Sequence, residues 1–578
     1  MCGIFFYTTN KYIKGHTKRT LEKSFIKIQH RGPTASRIRY YNEGTMMGFH
    51  RLAIVDPSAA GMQPFENERY ACIINGEIYN YKQIQTDLLK NDPTLVLTSH
   101  SDCEVVLHLF KLIVGDNPPT IEHAAELAKR MNGEFAFIIY DTLTNTTFFG
   151  VDELRTRPLF IGKQIVFGGI NDREITDIGL CSEQKSLVDL FNNVEAIPSG
   201  TVGEINIIYG TYKIQTQQYF DFSQICAEYL GTVEEFETAR FTLRNLIVNN
   251  ITLKLCPDRD FGFLLSGGLD SSLICGVAAK ILEPHRIRTF TVGFDKNAPD
   301  IIAARKVAKH INSIHNEFIF TYEEGIAILP EVIYNNESWD QTTTRASVPM
   351  TLAVRAIKKL FPEIAVIYSG ELADELFMGY LEWQSAPNPQ EARDHVIKRL
   401  RDVTYFDGLR ADRAICSVGC ELRLPFFGKE ILNFVLSLPP QLLMPQTNNG
   451  IEKFLLRSAF SIQTPDKIGV IPTDVLWRTK HAFSDATSIV GTTSWKEALI
   501  QYASTEITNS RFECRRELYP NKTPQTKEDM LYRELFDKYG FEGNTIPYKW
   551  LPNWAPNGLT DASATALVGF VESVLLKN

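Results

Sequence analysis

The sequence predicts two domains of different class: an α+β domain of packed antiparallel sheets with flanking helices over residues 2–210, and an α/β domain with a parallel sheet over residues 233–578, joined by a linker at 211–232. Three observations predict this. At 578 residues the chain exceeds what a single hydrophobic core holds. Short β-rich runs separated by polar turns fill the first 210 residues, whereas strands alternate with helical stretches after about Thr232. A glycine turn, Ser266 to Ser272, stands between an apolar strand and a helix in the second half.

In the first half, helical patterns are expected near Thr17 to Ile28 and Glu104 to Val114. The β-rich runs are Ala71 to Ile74, Glu134 to Tyr140 and Gln164 to Phe167. In the second half a long amphipathic stretch, Glu234 to Leu255, leads into the strand Phe261 to Leu265, the glycine turn and the helix Leu273 to Leu282. The strands Arg288 to Val292 and Ala365 to Tyr368 follow, each after a helical segment, and this alternation implies parallel strands with both faces covered.

Composition narrows the function. Hydrophobic residues at 44% and charged residues at 22% describe an ordinary globular protein, and a net charge of -8 spread along the chain leaves no footprint for nucleic acid. No run of about 18 apolar residues predicts a membrane span, and no leader pattern opens the chain. The 10 cysteines form no CxxC pair and read mostly as small buried hydrophobes, so a reducing, cytoplasmic location is expected.

The chain opens Met1-Cys2-Gly3-Ile4. Removal of the methionine leaves a cysteine whose own α-amine, with an ordinary pKa of about 7.7–8.0, is suited to act as base for its thiol. A thiolate attacking a carboxamide creates an oxyanion that needs preorganised donors, which the Asn75 side chain and the Gly76 backbone supply. An amino-acid substrate needs a guanidinium for its carboxylate and carboxylates for its ammonium, and Arg51, Glu77 and Asp102 offer those groups.

The run Ser266-Gly267-Gly268-Leu269-Asp270-Ser271-Ser272 lacks the Lys of a Walker A loop, but its N–H groups and the helix start behind it suit an anion such as pyrophosphate. Asp270 offers an oxygen to Mg2+. A second loop, Ser369-Gly370-Glu371-Leu372-Ala373-Asp374, follows the strand ending at Tyr368 and projects to the same side of the sheet, where its acids would hold Mg2+ or the acid being activated.

These motifs resemble known families. The first half resembles the class II glutamine amidotransferase domain, an N-terminal nucleophile sandwich. That resemblance implies Cys2 as nucleophile, Asn75 and Gly76 as oxyanion hole, and Arg51, Leu52, Ile54, Glu77 and Asp102 around glutamine. The second half resembles the PP-loop ATP pyrophosphatase fold. With Asp340 to Ser347 and Thr523 to Glu528 added, nearly the whole chain is similar to glutamine-hydrolysing asparagine synthetases. The resemblance implies that Leu264, Val292, Ser369 and Gly370 contact ATP, Ser266 to Ser272 hold pyrophosphate, and Glu371 serves formation of an aspartyl adenylate. It places Thr342, Arg345 and Asp374 near aspartate, Lys480 near the phosphates, and Mg2+ on Asp270 and Asp374; it also suggests a homodimer. Small molecules are the expected partners.

The chain departs from the family pattern at four places. Leu372 replaces the glycine of a Ser-Gly-Glu-Gly loop, where positive φ would be costly; Thr34, Arg155 and Gly428 also differ. Three rivals therefore stay open: a relative amidating another acid, another class II amidotransferase, and a synthetase-impaired homologue. The second would lack Ser-Gly-Gly-Leu-Asp-Ser-Ser.

Overall fold

A computed structural model describes residues 1–167, 173–225, 233–255, 258–461, 469–478, 494–541, 546–554 and 559. The chain divides into two compact units: Met1–Asp221 with Cys416–Glu421 and Gly540–Thr545, and Phe222–Ile415 with Leu422–Tyr539 and Ile546–Asn578. Lys480 lies outside the described residues.

The first unit is built on two six-stranded sheets. One runs in the order Asn193–Ala196, Phe160–Phe167, Arg173–Cys181, Gly3–Thr9, Thr45–Arg51, Ala35–Tyr41; the other runs Thr211–Gln218, Thr201–Ile208, Thr146–Val151, Gly133–Asp141, Tyr70–Ile78, Phe65–Glu66. Neighbouring strands in both sheets run antiparallel. Period-two alternation sorts the side chains. Ile4 and Phe6 meet Ile73 and Ile138 between the sheets, while Phe5 and Tyr7 pack outward on Leu21 and Phe25 of the helix Gly15–Ile26. Cys72 and Ile74 face the opposite way, onto the helices Glu104–Val114 and Ile121–Arg130. Helix, sheet, sheet and helix form four layers.

One expectation needs correction here. Residues 211–218 of the expected linker form the edge strand Thr211–Gln218, paired from Thr201↔Gln218 to Ile208↔Thr211. Tyr209 and Gly210, at φ 51 and 80, make the tight turn that returns the chain, and Tyr212 is buried between the sheets. The polar residues of this strand sit on its exposed side, which made it resemble a linker.

The second unit carries a sheet in the order Ile314–Ile319, Arg288–Gly293, Phe261–Leu264, Val366–Tyr368, with Glu421–Arg423 at its edge. The first four strands are parallel. The chain lays its first strand, Phe261–Leu264, in the middle, then builds outward on one side before returning with Val366–Tyr368 on the other. The order reverses between these two strands, and in such sheets a crevice opens beyond the carboxyl ends at that point. The helix after the glycine turn begins at Leu269, four residues before the expected Leu273; Asp270 lies in its first turn, where a carboxylate suits the positive end of the dipole. Among the described residues no helix is long and apolar enough to cross a membrane.

Candidate active sites

In the first unit Cys2 stands immediately before the strand Gly3–Thr9, whose neighbour Thr45–Arg51 ends beside it because Gly3 pairs with His50. The chain leaving that neighbour holds the sulfur: Leu52 N donates to Cys2 Sγ at 3.4 Å, and Sγ lies 3.7 Å from Leu52 O. Burial pushes the Cys2 thiol up, and the Met1 amine and the Leu52 N–H act against that shift.

Asn75 lies on Tyr70–Ile78, on the same face as Ile73 and so toward the first sheet. Its Oδ1 accepts from Cys2 N at 2.9 Å. Its Nδ2 is buried and has no hydrogen-bond partner among the described residues. Gly76 sits in mid-strand rather than in a hairpin, paired with Phe135; a Cβ there would lie 2.3 Å from Glu134 O, so the neighbouring strand itself requires glycine.

Arg51, Glu77 and Asp102 are all buried. Arg51 donates to the carbonyls of Ser58 and Asp56 and so folds the loop over Leu52 and Ile54, and it acts electrostatically on the Cys2 thiol. Asp102 accepts from Ile78 N at 2.7 Å, which ties the helix entry to the end of the Asn75 strand. Arg31, in the run His30 to Pro33, donates from Nε to Cys2 O at 3.1 Å and pairs with Glu183 at 2.7 Å. Met1 is buried too: its amine is 3.9 Å from Glu421, and its Sδ accepts from Arg157 at 2.6 Å. Excision of Met1 would turn the Cys2 amide nitrogen into a free α-amine.

In the second unit a cavity of about 240 Å³ opens beyond the strand ends at the switch point. Leu264, Ser266, Gly268, Leu269, Asp270, Ser271, Val292, Thr342, Ser369, Gly370, Glu371 and Asp374 line it, and Gly267, Ser272 and Arg345 do not. The turn is held by its own serines: Ser266 Oγ accepts from Gly268 N at 3.3 Å and meets Ser271 Oγ at 3.0 Å. Gly267 adopts φ 74, and a Cβ there would meet Ala304 N at 2.5 Å. At Gly370 a Cβ would lie 2.9 Å from Ser271 N, so the absence of a side chain lets the two loops share one cavity.

Charge in this cavity is arranged by Lys453, Arg410 and Arg478. Lys453 Nζ lies 2.6 Å from Asp270 Oδ2 and 2.7 Å from Asp374 Oδ1. Arg410 pairs with Glu371 at 2.8 Å and with Asp407 at 3.0 Å. Arg478 donates to Gly267 O at 3.1 Å and pairs with Asp300. Asp270 Oδ1 is buried without a hydrogen-bond partner among the described residues, a hard oxygen of the kind Mg2+ takes. Asp374, the other expected ligand, turns instead to the Lys453 ammonium. Arg345 is withdrawn as well: it is buried and makes two bonds to Glu528, at 2.7 and 2.5 Å, so a carboxylate of the chain itself holds the fork expected to meet substrate.

Leu372 adopts φ 78 and ψ -14, the left-handed region, and is 2% exposed. Arg155, at φ 57, is likewise left-handed where the family pattern has glycine. Gly428 at φ 178 is extended and makes no such demand. Thr34 accepts from Ala53 N through Oγ1 at 3.3 Å.

A family model described as glutamine amidotransferase domain matches residues 1–240, and one described as asparagine synthase matches residues 242–397 and 383–539. Proteins named "Asparagine synthetase [glutamine-hydrolyzing]" are similar over nearly the full length. The one from Gallus gallus is 37% identical over 582 residues, covering 95% of this chain and 96% of its own. Those from Bos taurus and Homo sapiens are 37% and 36% identical, with the same coverage.

Proposed function

The chain belongs to the family of glutamine-hydrolysing asparagine synthetases, and on that premise we propose how its residues divide the reaction between two sites. It is an ATP-dependent amide ligase with glutamine as nitrogen donor: ATP, aspartate, glutamine and water give AMP, diphosphate, asparagine and glutamate, through β-aspartyl-AMP and ammonia.

In the first site Cys2 attacks the glutamine side-chain amide, its α-amine taking the thiol proton. Asn75 Nδ2 and the Gly76 N–H receive the oxyanion, ammonia departs, and water releases glutamate. Arg51, Glu77 and Asp102 hold the amino-acid end of glutamine, with the backbone near Leu52 and Ile54 closing the pocket. The observation that carries this reading is the divided Asn75 amide: its oxygen fixes Cys2 N while its nitrogen stays buried without a partner among the described residues.

In the second site Leu264, Val292, Ser369 and Gly370 bind the nucleotide, and Ser266 to Ser272 with Lys480 hold the pyrophosphate. Asp270 Oδ1 would hold Mg2+, which would supply positive charge against the phosphates. Glu371 serves adenylation and Thr342 lies toward aspartate, while Asp374 acts through its ion pair with Lys453. A cytoplasmic homodimer is part of this reading. Cys2→Ala tests the division: asparagine formation from glutamine disappears while aspartate-dependent pyrophosphate release with ammonium persists. Equal loss of both contradicts it.

A further inference from the structure

Tyr380 lines the synthetase cavity beside the Glu371 loop, and its hydroxyl is shared in an unusual way. The oxygen lies 2.6 Å from Glu375 Oε1 and 2.9 Å from Asp407 Oδ2. A phenol carries one proton, so short contacts to two carboxylates call for a second. The surroundings say where it sits. Asp407 pairs with Arg410 at 3.0 Å. Glu375 is buried and meets the phenol but makes no ion pair among the described residues. With a guanidinium beside Asp407 and no ion pair on Glu375, the Tyr380 hydroxyl donates to Asp407 Oδ2, and Glu375 is the carboxyl placed to donate to the phenol oxygen. Arg410 closes the chain by binding Glu371 at 2.8 Å.

Such a chain is built to move a proton out of the cavity. Ammonia attacking the β-aspartyl-AMP carbonyl forms a C–N bond and sends the carbonyl pair to oxygen. As the carbonyl re-forms, the bond to the AMP phosphate breaks and its electron pair leaves with AMP. Ammonia brings three N–H bonds and the amide keeps two, so one proton must depart. We propose that Tyr380 is the catalytic residue that receives this proton from the attacking nitrogen while passing its own to Asp407 Oδ2, with Glu375 holding the phenol in position. Asparagine, AMP and protonated Asp407 result, and no redox step is involved. Once the nitrogen has lost its proton, it cannot be expelled again. The inference rests on the synthetase reading above and adds to it the group that completes amide formation.

The test uses the full chain with ammonium as nitrogen donor, which bypasses the glutaminase. Rapid-quench measurements follow pyrophosphate formed from MgATP and aspartate, and then asparagine formed on adding ammonium. Tyr380→Phe keeps the ring and is expected to leave pyrophosphate formation unchanged while slowing asparagine formation about 100-fold, the low end of what a positioned proton acceptor contributes. Asp407→Asn, which keeps the shape but cannot take the proton, should show the same split. Hydroxylamine is a much weaker base than ammonia, and its adduct sheds a proton readily, so both variants should lose far less activity with it. Wild-type asparagine formation in Tyr380→Phe, parallel loss of pyrophosphate and asparagine, or equal deficits with the two nucleophiles would each overturn the relay. Failure of the wild-type chain to release pyrophosphate with aspartate would instead sink the synthetase reading.

Discussion

Asn75 and Cys2 come from different sheets and meet at a single atom pair, Asn75 Oδ1 and Cys2 N, 2.9 Å apart. That bond fixes the amide, because a flip would set its NH2 group against the Cys2 N–H. Nδ2 is thereby aimed in one direction and left buried without a partner among the described residues. An unsatisfied buried donor costs roughly 1–3 kcal/mol, and such a cost is tolerated where the donor awaits developing charge.

Replacing this group tests it. Asn75→Ala should lower glutaminase kcat by about 10²–10³, the loss typical of one missing oxyanion donor, and leave ammonium-dependent asparagine formation intact. Steady-state assays with the two nitrogen donors check this. A variant that keeps full glutaminase activity would show that the donor serves packing alone.

Leu372 offers a stability test. A left-handed conformation costs a side-chain-bearing residue about 1–2 kcal/mol, yet this leucine is buried, so removing its side chain also loses packing. Two variants separate the effects, since Leu372→Ala and Leu372→Gly both lose the packing and only glycine relieves the backbone. Glycine is ordinarily less stable than alanine in regular structure; here it should be more stable by about 1 kcal/mol. Thermal unfolding of both proteins reads the sign directly, and a more stable alanine variant contradicts the strain.

Glu375 gives the pH dependence a direction. Its carboxyl rises from an ordinary value of 4.5 to about 8 through burial and the neighbouring Asp407 and Asp374. A group raised in this way contributes its full stability below about 4.5, the unfolded-chain value, and loses it as pH climbs toward 8. Glu375→Gln stays neutral and can still donate to Tyr380, so its melting temperature should fall less than that of wild type between pH 5 and 9. Parallel curves would place the extra proton elsewhere.

Much of this was legible in the sequence because the informative signals are local. The glycine turn between strand and helix, the β-rich runs and the N-terminal cysteine each lie within a few consecutive residues, and all occur where they were expected. What escaped was long-range pairing. Lys453 reaches Asp270 across 183 positions, and nothing adjacent to it marks its destination. Arg345 went astray for the same reason, since Glu528 lies 183 residues away. The edge strand Thr211–Gln218 was hidden by polar side chains on its open face, although the Tyr209-Gly210 turn announced it.

The central claim is that nitrogen freed at Cys2 enters the amide made in the second unit. Glutamine labelled with 15N in its side-chain amide, supplied with aspartate and MgATP and no ammonium, tests it most directly. The account predicts label in the asparagine side-chain amide, matched mole for mole by glutamate and AMP and absent with Cys2→Ala. Unlabelled asparagine, or glutamate released with no label passing into asparagine, would contradict it.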